Sequence, residues 1–248
     1  MTKTMLGNAV RNILHRYGLQ ITRAHKSAFE VQHQLLTLRD PLILDIGAHV
    51  GEAAREYRTL FPVATIHCIE PFPDSFHQLQ KNLECDPATF CHMTAMSDRT
   101  GTGLLNANLS SATNSLLATD ERGSTYWGTG LLDTKSQVEV STTTVDAFCA
   151  DAGIAHVDIL KMDVQGAEYS VLLGAADMLK SQRISLIYTE LITCPTYDGQ
   201  HKLHEYLSLL DSYGYELFHF FNPAQKNDQL IQMDIVFLSS SFKGETRS

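Results

Sequence analysis

Ile43-Leu44-Asp45-Ile46-Gly47-Ala48-His49-Val50-Gly51-Glu52 is the stretch that decides the fold. Its first half is an apolar run typical of a buried strand, and its two glycines allow a sharp turn into an amphipathic helix. A strand, a glycine turn and a helix in this order form the cofactor site of many α/β proteins. The sequence therefore predicts that Gly47, Ala48 and Gly51 lie beside a bound cofactor.

The acidic residue Asp45 distinguishes this turn from a dinucleotide site. The pattern is D-x-G-x-x-x-G, which lacks the third glycine of the G-x-G-x-x-G fingerprint for a pyrophosphate. A carboxylate beside the turn also disfavours phosphates and favours a ligand with a positive centre, such as the sulfonium of S-adenosylmethionine. We therefore expect Asp45 to contribute to binding S-adenosylmethionine.

The second strand, residues 64–70, supplies another acidic group to the same edge of the sheet. It ends in Glu70, about 25 residues after Asp45, where a carboxylate can accept both ribose hydroxyls. Pro71 stops the strand directly afterwards. Glu70 and Pro71 are therefore predicted to contact the cofactor, with a solvated acid at the strand end as the alternative for Glu70.

The ends of the third and fourth strands add further polar residues. Ser97 and Asp98 follow the third strand, where adenine could donate its amino hydrogens to Asp98, although a turn before Arg99 explains this aspartate equally well. The fourth strand ends at Asp163, across the topological switch point from Asp45. Asp163 is therefore predicted to contact both the cofactor and the substrate.

Lys161 and Glu190 belong to the predicted catalytic group. Lys161 shares a face of the fourth strand with Asp163, because the two lie two residues apart. A lysine in a covered strand needs a carboxylate partner, and Glu190 at the end of the fifth strand is the candidate. A purely structural ion pair between Lys161 and Glu190 remains the alternative.

Strand-like and helix-like segments alternate along the chain, which predicts a doubly wound α/β sheet. Strands are expected at 42–46, 65–70, 89–95, 157–163, 184–190, 215–221 and 233–239, and helices near 51–60, 73–83, 144–151, 167–180 and 200–213. The helix-free connection 222–228 favours an antiparallel final pair of strands. Residues 100–142, rich in Ser, Thr, Gly and Asn, are predicted to form an inserted hairpin or lid.

Charge is distributed unevenly along the 248 residues. Residues 1–29 contain five basic and no acidic residues, whereas the whole chain has a net charge of −9, which argues against nucleic acid as a partner of the main body. Apolar residues recur at helical spacing in this segment, namely Leu6, Val10, Ile13, Leu14, Tyr17 and Ile21. We expect a helical segment over 1–39 that packs on domain 40–248 or on a second subunit, with an anionic membrane surface as the alternative.

Composition indicates a globular protein that works in a reducing compartment. The chain is 44% hydrophobic and 19% charged, and no run of about 18 apolar residues is present to span a membrane. Its five cysteines lack C-x-x-C spacing and three lie in apolar runs, which predicts reduced thiols and a cytoplasmic location. The pair His201 and His204 has no obvious third ligand, so no metal site is predicted.

Several motifs, in order along residues 40–239, resemble the FkbM family of S-adenosylmethionine-dependent methyltransferases. They are D-I-G-A-H-V-G at 45–51, I-E-P-F at 69–72, A-M-S-D at 95–98, V-D-I-L-K-M-D-V-Q-G-A-E at 157–168, Glu190, and M-D-I-V-F at 233–237. The resemblance implies the class I methyltransferase fold, with seven strands and a reversed last strand. It also implies O-methylation of a small molecule, usually at a sugar or polyketide-type hydroxyl. His49 and Gln165 depart from the family, which often has Asn and Glu there.

Methyl transfer to a hydroxyl requires alignment and a base within hydrogen-bond reach. Asp163 and Glu190 have the better predicted positions, whereas His201, His204 and His49 have the more suitable ordinary pKa. His201 is kept as a catalytic candidate, although a solvated helix face also explains it. Two other functions remain open: a nicotinamide-dependent oxidoreductase, and a non-catalytic protein that binds S-adenosylmethionine.

Overall fold

A computed structural model describes residues 26–242 of the chain. Seven strands form the main sheet: β1 (Leu42–Ile46), β2 (Thr65–Ile69), β3 (Thr89–His92), β7 (Val157–Met162), β8 (Ile184–Ile192), β9 (Tyr215–Lys226) and β10 (Gln229–Ser239). Their order is β3-β2-β1-β7-β8-β10-β9, and β10 runs antiparallel to both of its neighbours. This arrangement confirms the predicted class I methyltransferase fold with a reversed last strand.

A second, three-stranded sheet is inserted between β3 and β7. Its strands are β4 (Ala95–Met96), β5 (Gly101–Asn108) and β6 (Thr134–Thr143), in the order β4-β6-β5. Because β5 and β6 pair antiparallel, the predicted inserted hairpin is confirmed. The chain between them, residues 109–133, is called the lid below, and it contains a 3₁₀ helix at Ser111–Thr113.

Helices cover both faces of the main sheet. They are α1 (Ala28–Leu35), α2 (Glu52–Leu60), α3 (Pro73–Leu83), α4 (Gly123–Trp127), α5 (Val145–Asp151), α6 (Glu168–Leu173), α7 (Ala176–Lys180) and α8 (Leu203–Ser212). Successive strand residues point to opposite faces, so Leu44 and Leu160 join one buried cluster while Ile43 and Ile159 join the other. Burial on both faces explains why these strands are continuously apolar.

Most elements lie within a few residues of their predicted bounds, and the larger departures are the following. The expected helix 167–180 is divided into α6 and α7 at Gly174, where an added Cβ would lie 2.1 Å from the carbonyl oxygen of Ser97. The expected strand 89–95 ends at His92. The expected loop 222–228 instead extends β9 and β10 into a long hairpin. Its turn is formed by Asn227 and Asp228, which have φ values of 50° and 62°.

The first helix of the described part is α1, which begins with a capping box. The Ser27 side chain accepts a hydrogen bond from the Glu30 backbone N–H, and the Glu30 side chain accepts one from the Ser27 N–H. The predicted N-terminal helix with its apolar residues from Leu6 to Ile21 lies outside the described residues. Within residues 26–242, no helix is long and apolar enough to cross a membrane.

Candidate active site

A cavity of about 630 Å³ opens at the carboxyl ends of the parallel strands, a volume typical of small-molecule sites. One side, called the turn half, follows β1 and β2 and is formed by Gly47, Ala48, His49, Glu70 and Pro71. The other side, called the wall half, is formed by Phe29, Tyr188, Glu190, Asn222, Gln232 and Asp234. Lys161, Asp163 and Gln165, at the end of β7, lie between the two halves.

Gly47 is required by the way the β1 turn passes β7. Its φ is +76°, and an added Cβ would lie 1.8 Å from the Asp163 carbonyl oxygen. The N–H groups of Gly47 and Ala48 both donate to the carbonyl of Ile69, at 2.9 and 3.0 Å, and so tie the turn to β2. Gly51 was predicted to leave room for helix packing and to lie beside the cofactor. It packs against Leu79 of α3 and does not line the cavity among the described residues.

Glu70 is held in place by two backbone N–H groups. Those of His49 and Phe72 donate to its two carboxylate oxygens, each at 2.9 Å. Each oxygen keeps capacity for a further hydrogen bond, because a carboxylate oxygen accepts about two. Burial raises the pKa of Glu70 to about 7, against the opposing effect of the two backbone donors. Glu70, which is predicted to bind the ribose hydroxyls, therefore lines the cavity and can accept further hydrogen bonds.

Asp45 and Lys161 form a buried ion pair, which differs from the predicted arrangement. Lys161 Nζ lies 2.9 Å from Asp45 Oδ1, because β1 and β7 are neighbours and place these residues side by side. Burial lowers the pKa of Lys161, but Asp45 and Asp163 outweigh this effect and hold it above its usual value. Asp45 is fully buried and does not line the cavity among the described residues. The expected Lys161–Glu190 pair is therefore replaced by Lys161–Asp45.

Gln165 joins Asp163 to Glu190. Its Nε2 donates to Asp163 Oδ1 and to Glu190 Oε2, each at 2.9 Å, so both hydrogens of the amide are used. Gln165 adopts a left-handed conformation with φ of 56°, which turns its side chain between the two acids. The Asp163 side chain is 39% exposed and lies 3.9 Å from Lys161 Nζ. Burial, and then Asp163 itself, raise the pKa of Glu190 well above its usual value.

Glu168 fixes the loop that carries Asp163 and Gln165. Its Oε1 accepts hydrogen bonds from the backbone N–H of Val164 at 2.9 Å and of Gly166 at 3.2 Å. The side chain is buried, and burial raises its pKa to about 7. The Q-G-A-E part of the motif thus shapes the loop, and its carboxylate does not face the cavity among the described lining residues.

Four polar side chains of the wall half, and the apolar Phe29, were not predicted as site residues. Tyr188 Oη and Asn222 Nδ2 both donate to Asp234 Oδ2, at 2.9 and 2.8 Å. Gln232 Nε2 donates to Glu190 Oε1. Two of them had a signal in the sequence, because Gln232 and Asp234 stand two positions apart in the otherwise largely apolar strand β10.

The lid covers the cavity between the two halves. Ser115 Oγ donates to the Gln165 carbonyl at 2.7 Å, and Tyr197 Oη lies 3.1 Å from both Gln165 Oε1 and the Thr113 carbonyl. Asn114 also lines the cavity, and its buried Nδ2 has no hydrogen-bond partner within residues 26–242. That N–H group is therefore available to a ligand.

The structure places four other candidates outside the cavity lining formed by the described residues. Ser97 Oγ donates to Asp98 Oδ1 at 3.1 Å, and both residues lie in the turn between β4 and β5. The adenine contact of Asp98 stays a prediction. His201 stacks on Tyr169 with ring centroids 3.7 Å apart, and its Nδ1 lies 2.9 Å from Glu205 Oε1. His204 is exposed.

His49 is the histidine that the fold brings to the site. It lines the cavity in the turn half, and its Nε2 lies 2.9 Å from Ser111 Oγ of the lid. The residue has φ of 47°, which fits the family's frequent Asn, because asparagine tolerates this conformation better than most residues. His49 thus connects the turn to the lid.

Comparisons with known proteins agree with this geometry. The sequence model of the methyltransferase FkbM domain matches residues 45–217. The 2-O-methyltransferase NoeI of Sinorhizobium fredii is 32% identical over 200 residues, covering 77% of this chain and 81% of that protein. The 31-O-demethyl-FK506 methyltransferase FkbM of Streptomyces tacrolimicus is 28% identical over 70% of this chain and 72% of its own.

Two further similarities are more distant. The hexuronic acid methyltransferase AglP of Haloferax volcanii is 24% identical, over 60% of this chain and 55% of that protein. Among solved structures, the methyltransferase FkbM of Methylobacillus flagellatus is similar with a TM-score of 0.49 and 15% identity. That match covers 81% of this chain and 45% of the other.

Proposed function

This chain belongs to the FkbM family of methyltransferases, and from this premise we propose that it transfers a methyl group from S-adenosylmethionine to a hydroxyl oxygen of a sugar-type small molecule. One observation carries the proposal: Asp163 lies, part-exposed, between the turn half and the wall half of a single cavity. A base at the junction of two half-sites is where a hydroxyl would meet a methyl donor.

The residues of the turn half, together with Asn114 of the lid, fit S-adenosylmethionine. The turn at Gly47 leaves no room for a side chain, Glu70 keeps acceptor capacity for two hydroxyls, and Asn114 offers a buried N–H without a protein partner. When bound, S-adenosylmethionine supplies a methyl group on a positively charged sulfur. The acids that line the cavity favour such a charge, whereas a pyrophosphate would meet repulsion from them.

Asp163 is the proposed proton acceptor. Gln165 holds one of its oxygens, and the other lies on the Lys161 side, 3.9 Å from the ammonium group. Burial raises the pKa of Glu190 well above its usual value, which disfavours the ionised form that a proton acceptor needs. The division of roles between two neighbouring carboxyl groups thus follows from their different burial.

The wall half supports a hydroxyl acceptor. Carboxyl and amide side chains surround it, and these are groups that hydrogen-bond hydroxyls. Two similar proteins are named as O-methyltransferases or as acting at an O-position, and another as acting on hexuronic acid. A polyketide-type hydroxyl is the second acceptor class, supported by the FK506-related name of one relative.

A variant of Asp163 tests the proposal. Asp163→Asn should lower turnover by about 100-fold or more, because the amide cannot accept the hydroxyl proton. Formation of the demethylated cofactor would be measured with a panel of methyl glycosides, and His201→Ala serves as the control that should keep turnover within about threefold. Full turnover by Asp163→Asn, with its fold intact by circular dichroism, would refute the assignment.

A further inference from the structure

In the wall half and in the adjoining Gln165, most side-chain hydrogen-bond donors are already bonded to protein acceptors. Both hydrogens of the Gln165 amide go to acids, one hydrogen of Gln232 goes to Glu190, and one of Asn222 goes to Asp234. The hydroxyl hydrogen of Tyr188 also goes to Asp234. A ligand at this wall therefore finds few donors that are not already engaged with a carboxyl group.

Hydrogen-bond acceptors, in contrast, remain available on the same wall. Asp234 receives its two bonds on Oδ2, which leaves Oδ1 without a partner among the hydrogen bonds of the described residues. The side-chain carbonyl oxygens of Asn222 and Gln232 also lack a donor within residues 26–242. A wall rich in acceptors complements a ligand rich in O–H donors, since each hydroxyl can donate one bond.

The charge of the cavity points in the same direction. Six acids line it, namely Glu52, Glu56, Glu70, Asp163, Glu190 and Asp234, whereas Lys161 is the single Lys or Arg among the described lining residues. Lys161 is already paired with Asp45. A further negative charge would therefore meet an environment already crowded with carboxyl groups.

An aromatic surface completes the wall. Phe29 of α1 lines the cavity and contacts Tyr188 in a T-shaped arrangement, with ring centroids 5.6 Å apart. A sugar ring presents one apolar C–H face and a rim of hydroxyls, and binding sites combine such aromatic surface with a few placed polar groups.

We propose that the wall half selects an uncharged polyhydroxyl acceptor, such as a neutral sugar ring, and rejects acceptors that carry a carboxylate, sulfate or phosphate near the bound ring. This inference rests on the proposed function and narrows its substrate class. It separates this chain from a relative that is named for hexuronic acid, an anionic sugar. Repulsion by unpaired like charges is a common means of such discrimination.

Matched sugars provide the test. Methyl hexopyranosides of gluco, galacto and manno configuration would be compared with the corresponding hexuronates and hexuronamides, with S-adenosylmethionine as donor. The best hexoside should exceed its hexuronate in kcat/KM by at least about 100-fold. The hexuronamide should behave within about tenfold of the hexoside, because it has the shape of the hexuronate without the charge.

Two variants locate the source of the discrimination. Asp234→Asn removes a carboxylate from the wall half and should reduce the hexoside-to-hexuronate ratio by about tenfold. Glu84→Gln removes an exposed carboxylate at the end of α3, outside the cavity lining, and should change this ratio by less than about twofold. An equal effect of both variants would overturn the assignment to the wall half.

A binding measurement keeps the inference separate from the proposed function. Saturation-transfer NMR with the protein loaded with S-adenosylhomocysteine reports sugar binding without turnover. Binding of hexosides but not of hexuronates supports the inference, whether or not any sugar of the panel is methylated. Absence of methylation would count only against the proposed hydroxyl methylation. Hexuronates that bind or react as well as hexosides, or no binding by either class, would overturn the inference.

Discussion

Lys161 stabilises the fold because its ammonium group pairs with the buried Asp45 carboxylate, and removing that ammonium group tests this role. Lys161→Met should reduce the free energy of unfolding by about 3–5 kcal/mol, because it leaves the fully buried Asp45 carboxylate without its cation. The double variant Asp45→Asn/Lys161→Met should recover much of this loss. Urea unfolding of the three proteins measures both effects. A double variant as unstable as Lys161→Met alone would show that Asp45 is not the partner that matters.

Gly47 offers a second test at the scale of one residue. Gly47→Ala forces a Cβ to within 1.8 Å of the Asp163 carbonyl oxygen, and φ is +76°. Gly153→Ala is the matched control, since its φ is +67° and nothing lies within 4 Å of the added Cβ. The control should cost only the left-handed strain, about 1–2 kcal/mol. The Gly47 variant should lose clearly more stability by thermal melting; equal losses would contradict the close approach.

Residue types at strand ends were predictable from the sequence, but their partners were not. Because Lys161 and Asp163 are two residues apart, the sequence predicted that their side chains lie on the same side of β7, and the two side chains are close together. The partner of Lys161 depends on which strand lies beside β7, and β1 brings Asp45 into register there. The position of His201 outside the described cavity lining was not predictable, because a histidine's chemistry is visible in the sequence whereas its stacking on Tyr169 is not.

At the scale of elements, the lid is tied to the β7 loop by few bonds. Tyr197→Phe removes the hydroxyl that lies 3.1 Å from both Gln165 Oε1 and the Thr113 carbonyl. Gln165 then loses a restraint on the amide that orients Asp163. We expect kcat to fall by about 3- to 30-fold with stability changed by about 1 kcal/mol, the usual value of one hydrogen bond. Unchanged kcat and KM would show that this contact does not position Gln165.

The bounds of helices and strands matched the prediction where the hydrophobic periodicity was continuous. They differed where tertiary contacts determined the end of the element. The bounds of β1 and α3 match their predictions. The antiparallel pairing of β9 and β10 was predicted, but the extension of both strands through the expected loop was not. Asn222, Pro223 and Asn227 resemble a loop, although Asn227-Asp228 alone forms the turn. The S-x-x-E capping box at Ser27 was a visible helix start that would have predicted α1.

For the whole molecule, the buried acids predict a definite pH dependence. The pKa of Glu168 is about 7 in the folded protein and near 4.3 when unfolded, so the folded state binds the extra proton between these values. Its contribution to the free energy of unfolding therefore decreases as pH rises from about 4.5 to 7. Glu168→Gln should reduce the decrease between pH 5.0 and 7.5 by about 1–3 kcal/mol in urea unfolding. An identical pH profile for both proteins would contradict the raised pKa.

The fold of the whole molecule was recoverable from the order of motifs, because each motif marks one strand end of a single sheet. The composition of the wall half was not, since Asn222, Gln232 and Asp234 come from a hairpin whose pairing only the structure defines. Acceptor specificity therefore belongs to long-range contacts and not to a local motif.

Isothermal titration calorimetry of the purified full chain tests the central claim most directly. The account predicts that S-adenosylmethionine and S-adenosylhomocysteine bind with micromolar affinity, roughly −8 kcal/mol, and that NAD does not bind. Glu70→Ala should weaken binding by about tenfold or more, since each charge-assisted hydrogen bond contributes about 1.5–3 kcal/mol. Glu84→Gln, an exposed control outside the cavity lining, should bind normally. Binding of NAD without S-adenosylmethionine, or unchanged affinity in a folded Glu70→Ala protein, would contradict it.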